Sequence, residues 1–121
     1  MATLMGDSSI YVVTGGDDNA IQLTEVTINS FIICRTLATV SDAHTSTVTG
    51  VQFLGDSRYL SVGIDQKIRF WKYGDGVFAQ ISEFYTFVPD VCGVVDLGVY
   101  GEERRLAVYG TGIELLALAI K

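Results

Sequence analysis

Residues 42–71 read DAHTSTVTGVQFLGDSRYLSVGIDQKIRFW, and this run decides the fold. Val48–Phe53 alternates apolar with small or polar residues at period two, the pattern of a half-buried strand. Gly55-Asp56-Ser57 marks a turn, Tyr59–Gly63 a second strand, and Ile64-Asp65-Gln66 another tight turn before the alternating strand Lys67–Trp71. Within the run, His44, Ser61, Asp65 and Trp71 suit a chain of buried hydrogen bonds: imidazole to carboxylate, imidazole to hydroxyl, hydroxyl to indole N–H. A buried Trp needs an acceptor and a buried Asp needs donors, so this relay would tie three strands together.

This arrangement resembles a WD repeat, in which a His, a strand Ser or Thr, a turn Asp and a strand Trp follow in the same order. The resemblance extends to Val48, Gly50, Val51, Phe53, Gly63, Ile68 and Phe70. It implies a β-propeller blade, a four-stranded antiparallel sheet that needs neighbouring blades to cover its faces.

Working upstream, Ile10–Val26 repeats the pattern. Thr14 falls on Ser61, Asp18 on Asp65, Ile21 on Ile68 and Leu23 on Phe70, at one constant offset and without a gap. Thr24 stands where Trp71 does, and the position matching His44 would precede Met1. The first copy is therefore expected to lack a complete relay and to begin at its second strand, with Met1–Ser8 loose. Phe31–Thr39 supplies its outer strand, and Ser41–Thr47 the polar connection that carries His44.

Downstream, Tyr73-Gly74-Asp75-Gly76 is a turn and Val77–Phe87 the outer strand of the central unit, which ends at Val88-Pro89-Asp90 because proline cannot donate to a ladder. A third unit follows. Gly93–Leu97 and Arg105–Tyr109 are strands joined by a charged hairpin at Gly101–Arg104. Gly110-Thr111-Gly112 is a shortened turn, and Ile113–Ile120 reads as a strand although Leu, Ala, Glu and Lys favour helix in isolation. This copy has no His, Asp or Trp at the relay positions and must rely on packing. The expectation is an all-β fold over residues 1–121: a WD-repeat β-propeller fragment of about two and a half four-stranded antiparallel blades, with units at 9–39, 43–87 and 91–121. Closed propellers need roughly four to eight blades.

Composition narrows the function. The chain has 121 residues, 49% hydrophobic, and a formal net charge of -6, which disfavours a phosphate-gripping surface. Cys34 and Cys92 form neither a metal spacing nor a disulfide framework and read as reduced, half-buried strand thiols of an intracellular protein. No run reaches the roughly 18 apolar residues that span a bilayer, and the N-terminus lacks a basic start and a long apolar core. The expected compartment is the cytoplasm.

Candidate chemistry thins out on inspection. His44, Ser61 and Asp65 resemble a hydrolase triad, but the run contains no G-x-S-x-G elbow and adds Trp71. Asp17-Asp18 beside Gly15-Gly16 reads as a hairpin turn with one relay aspartate rather than a cation site. Gly110-Thr111-Gly112 is too short for a phosphate loop. Glu102–Arg105 is a solvated hairpin tip. No catalytic, cofactor or metal residue is assigned.

From about Ala43 to the end, about two thirds of the chain, the sequence also resembles the C-terminal blades of the WD repeat-containing protein 6 family. The resemblance is carried by the His-x3-Val-Thr-Gly start (His44–Gly50), Ile64-Asp65-Gln66, the linker Val88-Pro89-Asp90-Val91 and the late Gly-x-Gly-Ile-Glu element (Gly110–Glu114). It implies a non-catalytic subunit of a tRNA ribose 2′-O-methyltransferase acting at the anticodon wobble position. The partners implied are that catalytic subunit and the remaining propeller blades, with tRNA contacted only indirectly and no membrane. The alternatives are a general WD-repeat interaction scaffold, as in ubiquitin ligase or signalling complexes, and a hydrolase using His44 and Ser61.

Overall fold

The computed structural model describes residues 2–5, 9–16, 18–28 and 30–119, with side chains from Ile10 onward. Among these, eleven strands and no helix form. They are β1 (Ala2–Met5), β2 (Ser9–Gly15), β3 (Ile21–Ile28), β4 (Ile32–Val40), β5 (Val48–Gly55), β6 (Arg58–Gly63), β7 (Lys67–Gly74), β8 (Val77–Tyr85), β9 (Gly93–Tyr100), β10 (Glu103–Tyr109) and β11 (Ile113–Ala119). Three antiparallel meanders result: β1-β2-β3-β4, β5-β6-β7-β8 and β9-β10-β11, here sheets I, II and III. Each strand pairs with its sequence neighbour, so the connections are hairpins within sheets and short links between them.

Turn chemistry sets the hairpins. At the β5–β6 turn, Gly55, Asp56 and Ser57 all take positive φ, and Asp75-Gly76 do so between β7 and β8. Gln66 adopts φ 62° after Asp65, closing the β6–β7 turn. The ambiguous tail is strand: β11 pairs with β10 from Tyr109↔Ile113 to Glu103↔Ala119. Its expected end at Ile120 lies outside the described residues, as does Asp17 of the acidic pair.

Two expectations are corrected. Sheet I has four strands, because Ala2–Met5 pairs antiparallel with β2 from Ala2↔Val13 to Met5↔Ile10. The first unit therefore starts before residue 9. Four residues are too few to show a period, and β1 owes its order to the unpaired backbone groups of β2 rather than to its own pattern. The cysteines are free but not half-buried: both are exposed, and Cys92 sits just ahead of β9 rather than in a strand.

The sheets stack in chain order through two cores. Val13, Ile21 and Leu23 of sheet I meet Val48, Val51, Tyr59 and Trp71 of sheet II, with Ala43 from the connection. On the opposite face of sheet II, Leu60, Val62 and Ile68 meet Leu106 and Val108 of sheet III, with Val88 and Val91 from the linker. Sheet II thus buries both faces. Alternation along β6 and β7 sends Tyr59, Ser61 and Trp71 one way and Leu60, Val62, Ile68 and Phe70 the other.

Candidate functional site

Four elements converge on His44. The connection after β4 carries it, β6 brings Ser61, the β6–β7 turn brings Asp65, and β7 brings Trp71. His44 and Ser61 are fully buried, and Trp71 nearly so. His44 Nδ1 lies 3.0 and 3.1 Å from the two carboxylate oxygens of Asp65. Its Nε2 lies 2.8 Å from Ser61 Oγ, which also accepts from Trp71 Nε1 at 2.8 Å.

Donor counting fixes the protons. The Asp65 carboxylate also accepts from the Thr45 backbone N–H at 3.0 Å, the Thr45 hydroxyl and the Lys67 backbone N–H at 3.1 Å. An ionised carboxylate only accepts, so His44 Nδ1 carries the proton and Nε2 accepts from the Ser61 hydroxyl. The relay then runs in one direction, Trp71 to Ser61 to His44 to Asp65, and every polar atom in it has a partner.

Burial holds the His44 pKa below its ordinary value and outweighs the pull of Asp65 towards protonation. Burial would raise Asp65, but the Thr45 N–H, His44 and the Lys67 N–H together hold its carboxyl below the ordinary value. The neutral-imidazole, ionised-carboxylate state is therefore the folded one. Gly63 is required beside it, because a Cβ there would sit 2.8 Å from the Thr47 carbonyl oxygen, 3.0 Å from His44 Nδ1 and 3.1 Å from Asp65 Oδ1.

Sequence reasoning missed the braces around the relay. Arg69 donates from Nη1 to the Ala43 carbonyl, next to His44, while its Nε lies 2.8 Å from Glu83 Oε1 on β8. It pairs with Ser61 across the β6–β7 ladder. In sheet III the matching ladder position is Glu114, paired with Val108, and it accepts from the Thr86 hydroxyl in the linker. Gln66 Nε2 also donates to the Val88 carbonyl at 3.1 Å. Sheet III is thus held by polar anchors as well as by packing. Alternation in Ile68–Trp71 and the Glu after Gly110-Thr111-Gly112 were the only sequence signals for these residues. Among the described residues no group of three His, Cys, Asp or Glu side chains converges to hold a metal. Nor is any helix among the described residues long and apolar enough to cross a membrane.

The relay is that of a WD repeat in form, and three stacked antiparallel meanders are consistent with a partial WD propeller. Residues 34–72 match the family described as WD domain, G-beta repeat, which runs from β4 through Trp71. Among curated proteins, the chain is similar to the tRNA (34-2′-O)-methyltransferase regulator WDR6. It is 34% identical to the Rattus norvegicus protein and 35% identical to the Homo sapiens protein, in each case over 74 residues, 60% of this chain and 7% of the relative. The chain thus spans a small part of the length of these relatives. It is also 53% identical over 38 residues, 30% of this chain and 9% of the relative, to F-box protein At2g17690 of Arabidopsis thaliana.

Proposed function

We propose that this chain is a non-catalytic scaffold that serves in the cytoplasm as part of a regulatory subunit. Its partner would be a tRNA 2′-O-methyltransferase that modifies the anticodon wobble nucleotide. The observation that carries this reading is the similarity to WDR6 over 74 residues, the longest stretch shared with the relatives above. The chemistry of the site supports the non-catalytic part. Ser61 Oγ is buried and occupied on both sides, by the Trp71 N–H and by His44, which leaves no path for a substrate carbonyl. The net charge of -6 favours a role in which other surfaces hold the tRNA.

A general protein-interaction scaffold, as in ubiquitin ligase or signalling complexes, is the second reading. It is favoured by the shorter but closer match to an F-box protein. Tagging the chain at its native locus, followed by affinity purification and mass spectrometry, separates the two. The first reading expects a tRNA 2′-O-methyltransferase to co-purify, and loss of the chain to reduce wobble 2′-O-methylation. Co-purification of ubiquitin-ligase components with unchanged tRNA methylation would replace it with the second.

A further inference from the structure

The two joints between sheets follow one plan. In each hairpin turn a residue at positive φ, Asn19 (66°) in sheet I and Gln66 (62°) in sheet II, donates its N–H to a glycine carbonyl, that of Gly16 or Gly63. An aspartate holds each turn, Asp18 accepting from the Ala20 N–H at 3.2 Å and Asp65 from the Lys67 N–H at 3.1 Å. The turn carbonyl then catches the chain on its way to the next sheet. The Asn19 carbonyl accepts from the His44 N–H at 3.2 Å, and the Gln66 carbonyl from the Thr86 N–H at 2.9 Å. His44 and Thr86 are both buried, and each side chain reaches forward: His44 to Ser61 and Asp65 of sheet II, Thr86 to Glu114 of sheet III. Each joint thus closes on one buried residue, tied by its N–H to the sheet behind and by its side chain to the sheet ahead.

The two closing residues differ in chemistry, because an imidazole titrates near neutrality and a threonine hydroxyl does not. A second proton on His44 would sit on Nε2, aimed at Ser61 Oγ 2.8 Å away, which already accepts from Trp71 Nε1. The Ser61 hydroxyl proton would then lose its acceptor in a fully buried site. The charges facing the ring divide. Asp65, from the β6–β7 turn, attracts the added proton, whereas Lys67 and Arg69, from β7, oppose it, and Arg69 is tied to Glu83 of β8. Asp42 on the connection is exposed, and Asp18 of the sheet I turn is engaged by the Ala20 N–H. Burial outweighs Asp65, so the closed joint resists a proton that the open one accepts.

We propose that the joint between sheets I and II is an acid-released hinge latched by His44, while the joint between sheets II and III, latched by Thr86, stays shut over the same range. The device lies wholly between sheets of this chain and is indifferent to what flanks them. Opening frees the connection at 41–47 and uncovers Val13, Ile21 and Leu23 on one side and Tyr59 and Trp71 on the other. Because opening takes up one proton, its equilibrium constant should rise towards about tenfold for each pH unit below 6.5, the ordinary imidazole value.

Hydrogen exchange read by peptide mass spectrometry from pH 7.5 to 5, corrected for the intrinsic pH dependence of exchange, tests this. Amides of residues 43–48, among them the His44 and Val48 N–H groups bonded to the sheet I turn, should lose protection by up to about tenfold per pH unit below 6.5. Those of Thr86, Cys92 and Thr111, bonded across the second joint, should keep theirs. The imidazole resonances of His44, the single histidine, should titrate in step with the loss. His44→Gln, uncharged at every pH, should flatten the profile of residues 43–48. Should that variant unfold, the imidazole titration and exchange profile of the parent chain decide together. Parallel loss of protection at both joints, a flat 43–48 profile while His44 titrates, or an imidazole that takes up no proton down to pH 5 overturns the proposal.

Discussion

Replacing Asp65 with alanine tests the relay most directly. The carboxylate accepts from His44 Nδ1, the Thr45 N–H and the Lys67 N–H at 3.0–3.1 Å. Thr45 is exposed, so water replaces the carboxylate there at little cost. His44 is fully buried, and water does not reach its Nδ1 proton. Stranding a buried donor costs about 1–3 kcal/mol, and hydrogen bonds to a charged group contribute about 1.5–3 kcal/mol each. Summed over His44 and Lys67, Asp65→Ala is expected to destabilise by about 3–5 kcal/mol. Moving the imidazole proton to Nε2 does not rescue it, because Ser61 Oγ would then face two donors and its own hydroxyl proton would lose its acceptor. Asp65→Asn keeps one acceptor but turns an amide N–H₂ towards the remaining donors, so it should lose about half as much. Urea unfolding at fixed protein concentration, followed by fluorescence of the single tryptophan, Trp71, measures both. An Asp65→Ala midpoint corresponding to less than about 0.5 kcal/mol of lost stability, the range of ordinary surface substitutions, would refute the relay argument.

The pH dependence follows from the same protons. His44 has a folded pKa below its ordinary 6.5, so the unfolded chain binds more protons at mildly acid pH. Its contribution is full above about pH 6.5 and falls as pH drops through the folded value, and a second loss sets in around 3.8, where Asp65 of the unfolded chain takes up a proton that the folded carboxyl, held lower, does not yet bind. Urea midpoints should decline from pH 7.5 to 5, and a flat profile over that range would contradict a buried neutral imidazole. Ser61 should resist a fluorophosphonate probe in the folded protein, because its hydroxyl is buried and already donates to His44. Stoichiometric labelling at Ser61, read by peptide mass spectrometry, would revive the hydrolase reading.

The sequence alone determined the central sheet and its organising residues. Period-two alternation and turn residues are local signals, and they placed β5 to β8 within a few residues of their ends. His44, Ser61, Asp65 and Trp71 were legible because the single His and the single Trp, with a Ser and an Asp at fixed offsets on strand and turn positions, have few ways to satisfy one another. The repeat at constant offset made sheet I legible for the same reason. Tertiary structure decided what local pattern could not. β1 has no pattern of its own and is ordered by the free edge of β2. Arg69 and Glu114 look like ordinary charged strand residues until the ladder sets them against the Ala43 carbonyl and Thr86. The exposure of Cys34 and of the sheet III face likewise depends on which sheets are present to cover them. Alternation assigns residues to two faces of a strand; only packing chooses which face is buried, because burial belongs to the neighbour as much as to the strand.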